Sequence, residues 1–486
     1  MSVSFADLWN IARDPIAPET RRNLRAIWAK LPEFLKTTHQ MYGRHAEGCG
    51  ATIGAMPRCD FACTGCYLGE EANKIPALPV EAIKKQMRQM RPKLGVRGNL
   101  QLTDGEVTLR PVEEQIELLR YANEIGLIPM LMTHGDTFRR QPGLLERLVL
   151  EGGLMEVSIH VDTTQRGRKG AEWRDPKDEA ALNPLRDEFA AMIRECRRTT
   201  GRKITAATTM TISPENLGGV PDVMEWLVRN ADVFKMISFQ PMAQVGRTEE
   251  GLGGGVTVEA LWEKINDGLY GAGENVQRLL DGAMWLGHSA CNRYVPGFVV
   301  RDDATSDPRF VPARQVNDPA DVRVNLLMWD RLGGISFRND STWTAFARFL
   351  GVVYSSIDLF ATHGLSHIES ILRRVTPKDG NPLAFLARLA AKRSRVNGLL
   401  VVSHHFMSNW EIATPLGQER IENCVFTVPI GDRMVSMCEV NTTGIRDAYY
   451  EDITAGREPG LTPLKVRGNP ALPVVQSPVP LVAHGH

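Results

Sequence analysis

Segments with the pattern of strands alternate with segments with the pattern of helices between about residues 51 and 250, and this alternation limits the fold more than any other feature. The strand-like segments are short and apolar, and the helix-like segments carry apolar residues at helical spacing. We predict six strands at residues 52–57, 99–103, 128–133, 155–161, 203–212 and 234–240. We predict the intervening helices at residues 79–90, 111–125, 143–150, 187–198 and 220–230.

Strands that alternate with helices form right-handed βαβ units and a parallel sheet. Six units are fewer than the eight of a complete barrel, so the sequence predicts an α/β fold built on a partial (β/α)6 TIM-like barrel. In such barrels the loops after the carboxyl ends of the strands build the active site. Motifs that directly follow a predicted strand are therefore the strongest candidates for active-site residues.

The chain has 486 residues, which is more than one hydrophobic core usually serves. We expect an N-terminal helical cap, the barrel, a C-terminal mixed α+β region that covers the substrate, and a proline-rich tail. Their predicted bounds are residues 1–48, 49–250, 251–470 and 471–486.

Composition excludes several classes of protein. Lys plus Arg equals Asp plus Glu at 57 each, so no net charge attracts the chain to nucleic acid, and no nucleic-acid partner is expected. No run approaches the roughly 18 apolar residues of a membrane-spanning helix. The N-terminus lacks the pattern of a secretory signal, and the chain has eight cysteines, so we expect a cytoplasmic protein with reduced thiols.

Three of the eight cysteines lie together directly after the first predicted strand. The segment MPRCDFACTGCYLG places Cys59, Cys63 and Cys66 in the spacing CxxxCxxC. Three thiolates on one loop can hold three irons of a 4Fe–4S cubane and leave the fourth iron open. A structural zinc site or ordinary buried cysteines are the alternatives, but zinc needs a fourth ligand, and Cys49 and His45 lie before the strand.

On these residues the chain resembles the radical S-adenosylmethionine (radical SAM) superfamily over about residues 50–250. The resemblance implies that the three cysteines bind a 4Fe–4S cluster and that S-adenosylmethionine chelates the fourth iron. It also implies reductive cleavage of the cofactor to a 5'-deoxyadenosyl radical, oxygen sensitivity, and an electron donor such as ferredoxin or flavodoxin. One position departs from the family, which often has an aromatic residue where this chain has Gly65, with Tyr67 following the third cysteine.

The second predicted strand ends in LTDGEVTLRP, which resembles the family's Gly-Gly-Glu motif with Asp104 in the first glycine position. Gly105 would let the backbone approach the ligand, and Glu106 offers an acceptor for the methionyl ammonium group. The resemblance assigns all three residues to cofactor binding. By itself, however, Asp-Gly-Glu is a common turn sequence.

The fourth predicted strand places Ser158, His160 and Asp162 on one face by its period of two. The resemblance implies that Ser158 and Asp162 contact the ribose and other polar groups of the cofactor. His160 is equally well explained as a core histidine with satisfied hydrogen bonds. Arg168 in the following loop is either solvated or available to a carboxylate or phosphate.

Cys291, Cys424 and Cys438 form a candidate second metal or cluster site in the C-terminal region. The segment 423–440 has the pattern of a hairpin, and a three-residue turn at 430–432 would set Cys424 directly opposite Cys438. The alternative is that these cysteines are small buried apolar residues, since no close CxxC spacing is present among them.

The sequence therefore predicts a radical SAM enzyme that activates a C–H bond of a small-molecule or lipid-like substrate. The segment SFQPMAQVGR weakly resembles the branch of tetraether lipid synthases and pterin-methylating enzymes, which adds carbon–carbon bond formation or methylation on an apolar molecule. A non-catalytic iron–sulfur protein for electron transfer or redox sensing is the alternative. Such a protein normally ligates every iron with its own residues.

Overall fold

The computed structural model of the chain describes residues 4–250, 255–315, 317–335, 341–377 and 380–459. The predicted proline-rich tail at 471–486 lies outside these residues.

The strands of the described residues form one sheet in the order β11-β10-β1-β2-β3-β4-β5-β6-β9-β7-β8. Strands β1 to β6 are Cys49–Ala51, Asn99–Leu102, Ile128–Thr133, Glu156–His160, Thr205–Ile212 and Phe234–Pro241. Strands β7 to β11 are Asn292–Arg301, Arg309–Pro312, Arg395–His404, Phe426–Ile430 and Arg433–Ser436.

Nineteen α-helices occur in the same residues. Helices α1 to α10 are Phe5–Arg13, Pro18–Lys30, Val80–Leu94, Val112–Glu124, Asp136–Arg140, Leu144–Leu150, Ala171–Arg174, Asn183–Thr200, Val220–Arg229 and Val258–Tyr270. Helices α11 to α19 are Gln277–Leu280, Pro319–Leu332, Thr342–Ser355, Ile357–Leu359, Leu365–Val375, Pro382–Ala390, Pro415–Glu422, Met437–Thr442 and Ile445–Thr454.

Strands β1 to β6 are parallel neighbours in chain order, which confirms the predicted partial barrel. The predicted first strand is misplaced, because β1 ends at Ala51 and residues 52–57 form a loop. In that loop, the backbone N–H groups of Ile53 and Gly54 donate to side-chain oxygens and not to a neighbouring strand. Gln86 Oε1 accepts from the Ile53 N–H at 2.8 Å, and Asp104 Oδ2 accepts from the Gly54 N–H at 2.5 Å.

The barrel helices turn their apolar sides to the sheet. In α8 the buried Leu185, Phe189, Ile193 and Cys196 recur at helical spacing, and Gly201 ends the helix at φ +64°. Cys196 is therefore a core residue, as its helical pattern suggests.

The C-terminal region completes the barrel sheet. Strand β9 pairs in parallel with β6, and β10 pairs in parallel with β1. These two added strands lie far apart in the order of the sheet, yet Phe406, just after β9, and Phe426 of β10 have ring centroids 6.2 Å apart. The sheet therefore curls until its two sides meet.

The N-terminal region is helical, but its second helix ends at Lys30, and the residues after Pro32 form only a short 3-10 turn at Glu33–Leu35. Proline at position 32 removes a backbone donor and disfavours a helical residue before it. Among the described residues, no single helix is long and apolar enough to cross a bilayer, although the bent pair Thr342–Ser355 and Ile357–Val375 passes that test jointly.

Candidate active site

A cavity lies at the carboxyl ends of the barrel strands, and Cys59, Cys63 and Cys66 all line it. The cysteine loop is anchored to the loop after β4, because the Ala62 N–H donates to the Arg166 carbonyl at 2.8 Å and the Thr64 N–H to the Thr164 carbonyl at 3.0 Å. The Cys59 N–H donates to Asn73 Oδ1 at 2.9 Å. The structure thus brings the three predicted ligands to one position in the barrel mouth.

The chemistry of these donors fits an iron–sulfur cluster. Burial raises the pKa of the Cys63 thiol to about 12, and the neighbouring Cys66 adds to the shift. A bound metal offsets this cost, because a coordinating thiol is deprotonated by the charge of the ion. The Phe61 N–H donates to Cys59 Sγ and the Leu68 N–H to Cys66 Sγ, each at 3.4 Å, and such hydrogen bonds favour thiolates.

The spacing of the thiols disfavours zinc. In the described ranges, Cys59, Asp60 and His134 form the only group of three candidate ligands whose atoms lie within 4.8 Å of one another. The sulfur atoms of Cys59, Cys63 and Cys66 are not all this close together, and neither are those of Cys291, Cys424 and Cys438. A zinc ion holds thiolates at about 2.3 Å from itself, so they crowd together, whereas a cubane distributes them over separate irons.

Gly105 is required by the cysteine loop. A Cβ atom at this position would lie 2.3 Å from the Arg58 carbonyl oxygen and 2.6 Å from that of Met56. The Gly105 N–H donates to the Met56 carbonyl at 2.7 Å, and the Glu106 N–H to the Arg58 carbonyl at 2.8 Å. Glycine is therefore needed here because the backbone that leads into the cysteines lies so close. The predicted approach of Gly105 to a cofactor stays a prediction.

Asp104 connects the barrel mouth to the last helix. Its carboxylate accepts from the Gly54 N–H and from Tyr450 Oη, at 2.7 Å for the latter, and forms a buried ion pair with Arg446. Its φ of +123° is a conformation that glycine adopts without strain. The side chain is thus directed at α19, and the Asp104 carbonyl accepts from Tyr67 Oη at 2.8 Å. The predicted cofactor contact of Asp104 stays a prediction.

Glu106 lies at the wall of the cavity and is already well hydrogen-bonded. Its Oε1 accepts from Thr108 Oγ1 at 2.6 Å and Thr133 Oγ1 at 2.7 Å, and its Oε2 accepts from the His134 N–H at 2.9 Å. The ring of His134 lies 2.8 Å from Asp60 Oδ1 and stacks on Phe61 with centroids 3.8 Å apart. The predicted contact between Glu106 and the methionyl ammonium group stays a prediction.

Sequence reasoning missed this hydrogen-bonded group. The signal was present, because Thr133 ends β3 and His134 and Asp136 follow it, where a barrel places its site residues. Arg168 forms a 2.9 Å ion pair with the buried Asp136, so its charge is neutralised by the protein itself.

Ser158 and His160 line the cavity, whereas Asp162 lies behind them. Asp162 Oδ2 lies 2.5 Å from His160 Nε2 and accepts from the Thr211 N–H at 2.7 Å, and its Oδ1 accepts from Thr164 Oγ1 at 2.6 Å. Burial opposes ionisation of this carboxyl group, but the charge of His160 and these hydrogen bonds hold its pKa below the ordinary value. Asp162 therefore orients His160, and a ribose contact of its own stays a prediction.

Gly65 stands where the family often has an aromatic residue, and the structure explains the exchange. A Cβ atom at Gly65 would lie 2.7 Å from Met242 Cε and 3.1 Å from Thr211 Cγ2. The space beside the third cysteine is thus filled by Met242, which follows β6 and lines the same cavity.

The second group of cysteines meets where the two sides of the sheet join. The Cys291 carbonyl accepts from the His405 N–H at 2.8 Å, and Arg420 Nε donates to Cys291 Sγ at 3.4 Å. Burial, together with the neighbouring thiols of Cys438 and Cys291, raises the pKa of Cys424 to about 12. The three predicted residues are neighbours, and Arg420 lies beside them.

The predicted geometry of the hairpin is wrong. Ile430 pairs with Arg433, so the turn has two residues, Gly431 and Asp432, instead of three. The register is shifted by one, and Cys438 lies in α18 rather than on a strand opposite Cys424.

Residues 53–227 match the model of the radical SAM superfamily. These residues form a radical SAM domain. The cofactors of radical SAM proteins are a 4Fe–4S cluster and S-adenosylmethionine, in agreement with the predicted cofactors. The superfamily is one of enzymes, in agreement with the predicted enzyme.

A curated relative is a 7,8-dihydro-6-hydroxymethylpterin dimethyltransferase of Methanocaldococcus jannaschii, 22% identical over 204 residues. The match covers 41% of this chain and 37% of the relative, so the chain aligns with little more than a third of that protein. The name of this relative agrees with the predicted resemblance of the chain to pterin-methylating enzymes.

Two solved structures are also similar. Streptococcus suis SuiB bound to S-adenosylmethionine is 14% identical, with 45% of this chain and 46% of that chain covered and a TM-score of 0.33. The enzyme anSMEcpe with bound AdoMet is 10% identical, with 66% and 97% covered and a TM-score of 0.32. At these TM-scores neither likeness supports a functional argument.

Proposed function

We propose that the chain is a radical SAM enzyme that activates a C–H bond of an apolar or lipid-like substrate for carbon–carbon bond formation or methylation. The observation that supports it most is the convergence of Cys59, Cys63 and Cys66 on the cavity that Glu106 and His160 also line. When bound to these thiolates, the cluster supplies the electron that cleaves S-adenosylmethionine to a 5'-deoxyadenosyl radical.

The chain's own residues would position the cofactor and exclude water. Glu106 and His160 are both held by neighbours, the former by Thr133 and the latter by Asp162, so each presents a fixed polar group to the cavity. Arg247 also lines the cavity, and its N–H donates to the Cys66 carbonyl at 3.0 Å. This arrangement couples the loop after β6 to the cysteine loop.

The proposed substrate class rests on the apolar part of the cavity wall. The C-terminal region contributes Phe406, Phe426 and Met437 to that wall, and the loop after β6 contributes Met242 and Val245. Large apolar side chains at this position favour a substrate with an apolar part and shield a reactive radical from solvent. The name of the pterin-methylating relative supports methylation as one outcome.

The experiment is an assay for 5'-deoxyadenosine after anaerobic reconstitution with iron and sulfide and addition of S-adenosylmethionine and dithionite. The wild-type chain is expected to form 5'-deoxyadenosine, and a Cys59→Ser, Cys63→Ser, Cys66→Ser variant to form none. Cys196→Ala is the matched control, because Cys196 lies in the core of α8 away from the cavity, and it should retain the activity. Iron-loaded wild-type protein without cleavage would instead support a non-catalytic electron-transfer or redox-sensing protein.

A second cluster on Cys291, Cys424 and Cys438 is a separate proposal, supported by the proximity of the three thiols. Iron analysis of the same proteins tests it. With two clusters, the wild type holds about eight irons and the triple variant about four, whereas with one cluster they hold about four and none.

A further inference from the structure

Exposed apolar side chains are concentrated on one group of helices. Of the seventeen large hydrophobic side chains that are exposed in the described residues, twelve belong to α1 or to the helices between residues 342 and 390. Trp343 is 70% exposed, Tyr354 82% and Leu365 75%. We call the exposed side chains of α1 and α13 to α16 the apolar face. A patch of this kind on a soluble protein marks a binding surface.

Helix α13 and its continuation turn their larger apolar residues outward. The exposed large apolar residues lie along one side and are Trp343, Phe346, Phe349, Leu350, Tyr354 and Ile357.

The inward side of α13 carries small residues. Ala347 and Gly351 are buried there, and a Cβ atom at Gly351 would lie 2.3 Å from the Ala12 carbonyl oxygen of α1. The small side thus packs against α1, and Phe5 and Trp9 of α1 are themselves exposed. Helix α13 therefore buries Ala347, Gly351 and Val352 and exposes its larger aromatic side chains.

The shape of this segment suits a membrane surface. Helices Thr342–Ser355 and Ile357–Val375 together have the length and composition of a membrane segment but are bent by 71°. A bent apolar pair of this kind can lie in the plane of the headgroup boundary. Tryptophan and tyrosine, here Trp343 and Tyr354, favour that boundary because their rings are amphipathic.

Charge supports the same partner. Residues 342–395 contain eight Lys or Arg and three Asp or Glu, although the whole chain is balanced at 57 each. Lys392, Arg393 and Arg395 are exposed just beyond the end of α16. Basic residues beside an apolar surface are attracted to anionic lipid headgroups. A second copy of the chain fits less well, because pairing of this face would bring two basic groups into one interface.

We propose that the apolar face docks on a lipid bilayer that contains anionic lipids. Its apolar side chains enter the boundary between headgroups and acyl chains, and Lys392, Arg393 and Arg395 contact lipid phosphates. The proposal concerns a surface outside the barrel, so it holds whether or not the proposed reaction is correct.

The test is co-sedimentation of the full chain with vesicles of phosphatidylcholine alone or with about 30% phosphatidylserine, a proportion chosen to resemble an anionic leaflet. Binding is expected to be at least tenfold stronger with phosphatidylserine. A Trp343→Ser, Tyr354→Ser, Leu365→Ser variant should lose at least tenfold in binding while its circular dichroism is unchanged. A Lys392→Glu, Arg393→Glu variant should lose the preference for phosphatidylserine.

The matched control is Trp410→Ser, Leu416→Ser, Met434→Ser, which removes three exposed apolar residues from elsewhere in the chain. It should bind vesicles as the wild type does. Equal loss in this control, or no vesicle binding by the wild type, would overturn the proposal. If the wild type fails to bind vesicles but forms dimers that the Trp343, Tyr354 and Leu365 substitutions dissociate, the face is a contact between copies of the chain.

Discussion

The helices of the barrel bury their large apolar side chains, whereas the helices of residues 342–390 expose many of theirs. Helix α8 covers the sheet with Leu185, Phe189 and Ile193, whereas α13 rests on α1 with Ala347 and Gly351 and exposes its aromatic residues. The same apolar residue type thus stabilises the fold in one region and is available for binding in the other. Burial, rather than hydrophobicity, decides which role applies.

A large effect is expected at the junction of the barrel and the last helix. Asp104→Gly would relieve the positive φ, worth about 1 kcal/mol, but would leave Arg446 as a buried unpaired charge, which costs about 3–5 kcal/mol. We expect a net loss of about 2–4 kcal/mol in the free energy of unfolding, measured by chemical denaturation. Arg147→Ala, which breaks two exposed ion pairs, is the control and should leave the free energy of unfolding nearly unchanged.

A matched pair of leucines tests the comparison directly. Leu118 in α4 is fully buried, so Leu118→Ala should lower the free energy of unfolding by about 2–5 kcal/mol. Leu365 in α15 is 75% exposed, so Leu365→Ala should change it by less than about 0.5 kcal/mol. A loss of more than about 1 kcal/mol at Leu365 would mean that the apolar face is covered within the folded chain.

The smallest expected effect concerns the ion pairs that hold α15 on α12. Asp321 lies 2.9 Å from both His367 Nδ1 and an Arg374 guanidinium nitrogen. Burial acts to raise the pKa of Asp321, but these two contacts and the Gln315 N–H hold it at about 2. The carboxyl group therefore contributes stability above its ordinary pKa of about 4, and this is lost as pH falls from about 5 to about 2.

We expect Asp321→Asn to cost about 1–2 kcal/mol at pH 7, a value reduced for solvent screening, and to cost little at pH 2. Unfolding curves of both proteins at several pH values measure the difference. A cost that is equal at pH 7 and pH 2 would show that the contribution of Asp321 is not ionic.

The parallel core was predictable from sequence because its strands and helices have strong local patterns. Strand β3 occupies residues 128–133 as predicted, and the same pattern located strands β2 and β4, beside which the predicted cofactor residues lie. Strand β1 was misplaced because Gln86 and Asp104, both distant in sequence, capture the backbone of the following loop. Local patterns do not report such contacts.

The pairing of the C-terminal strands β9 and β10 with the barrel was not predicted, for a similar reason. Their neighbours, β6 and β1, are separated from them by more than a hundred residues, and no local signal specifies the pairing. The role of Asp104 was likewise hidden, since its partners Arg446 and Tyr450 lie near the other end of the described chain. The cysteine loop was recognised because its spacing is local and chemically specific.

The short first strand has a consequence for the order of assembly. Strand β1 has three residues, and one of its two neighbours, β10, begins at Phe426 and is synthesised long after Cys49. The wall that holds Phe406 and Phe426 therefore forms late, since contacts distant in sequence form slowly. We therefore expect the cysteine loop to be accessible from that side until the wall has formed, which would give iron and sulfide a route to the thiols.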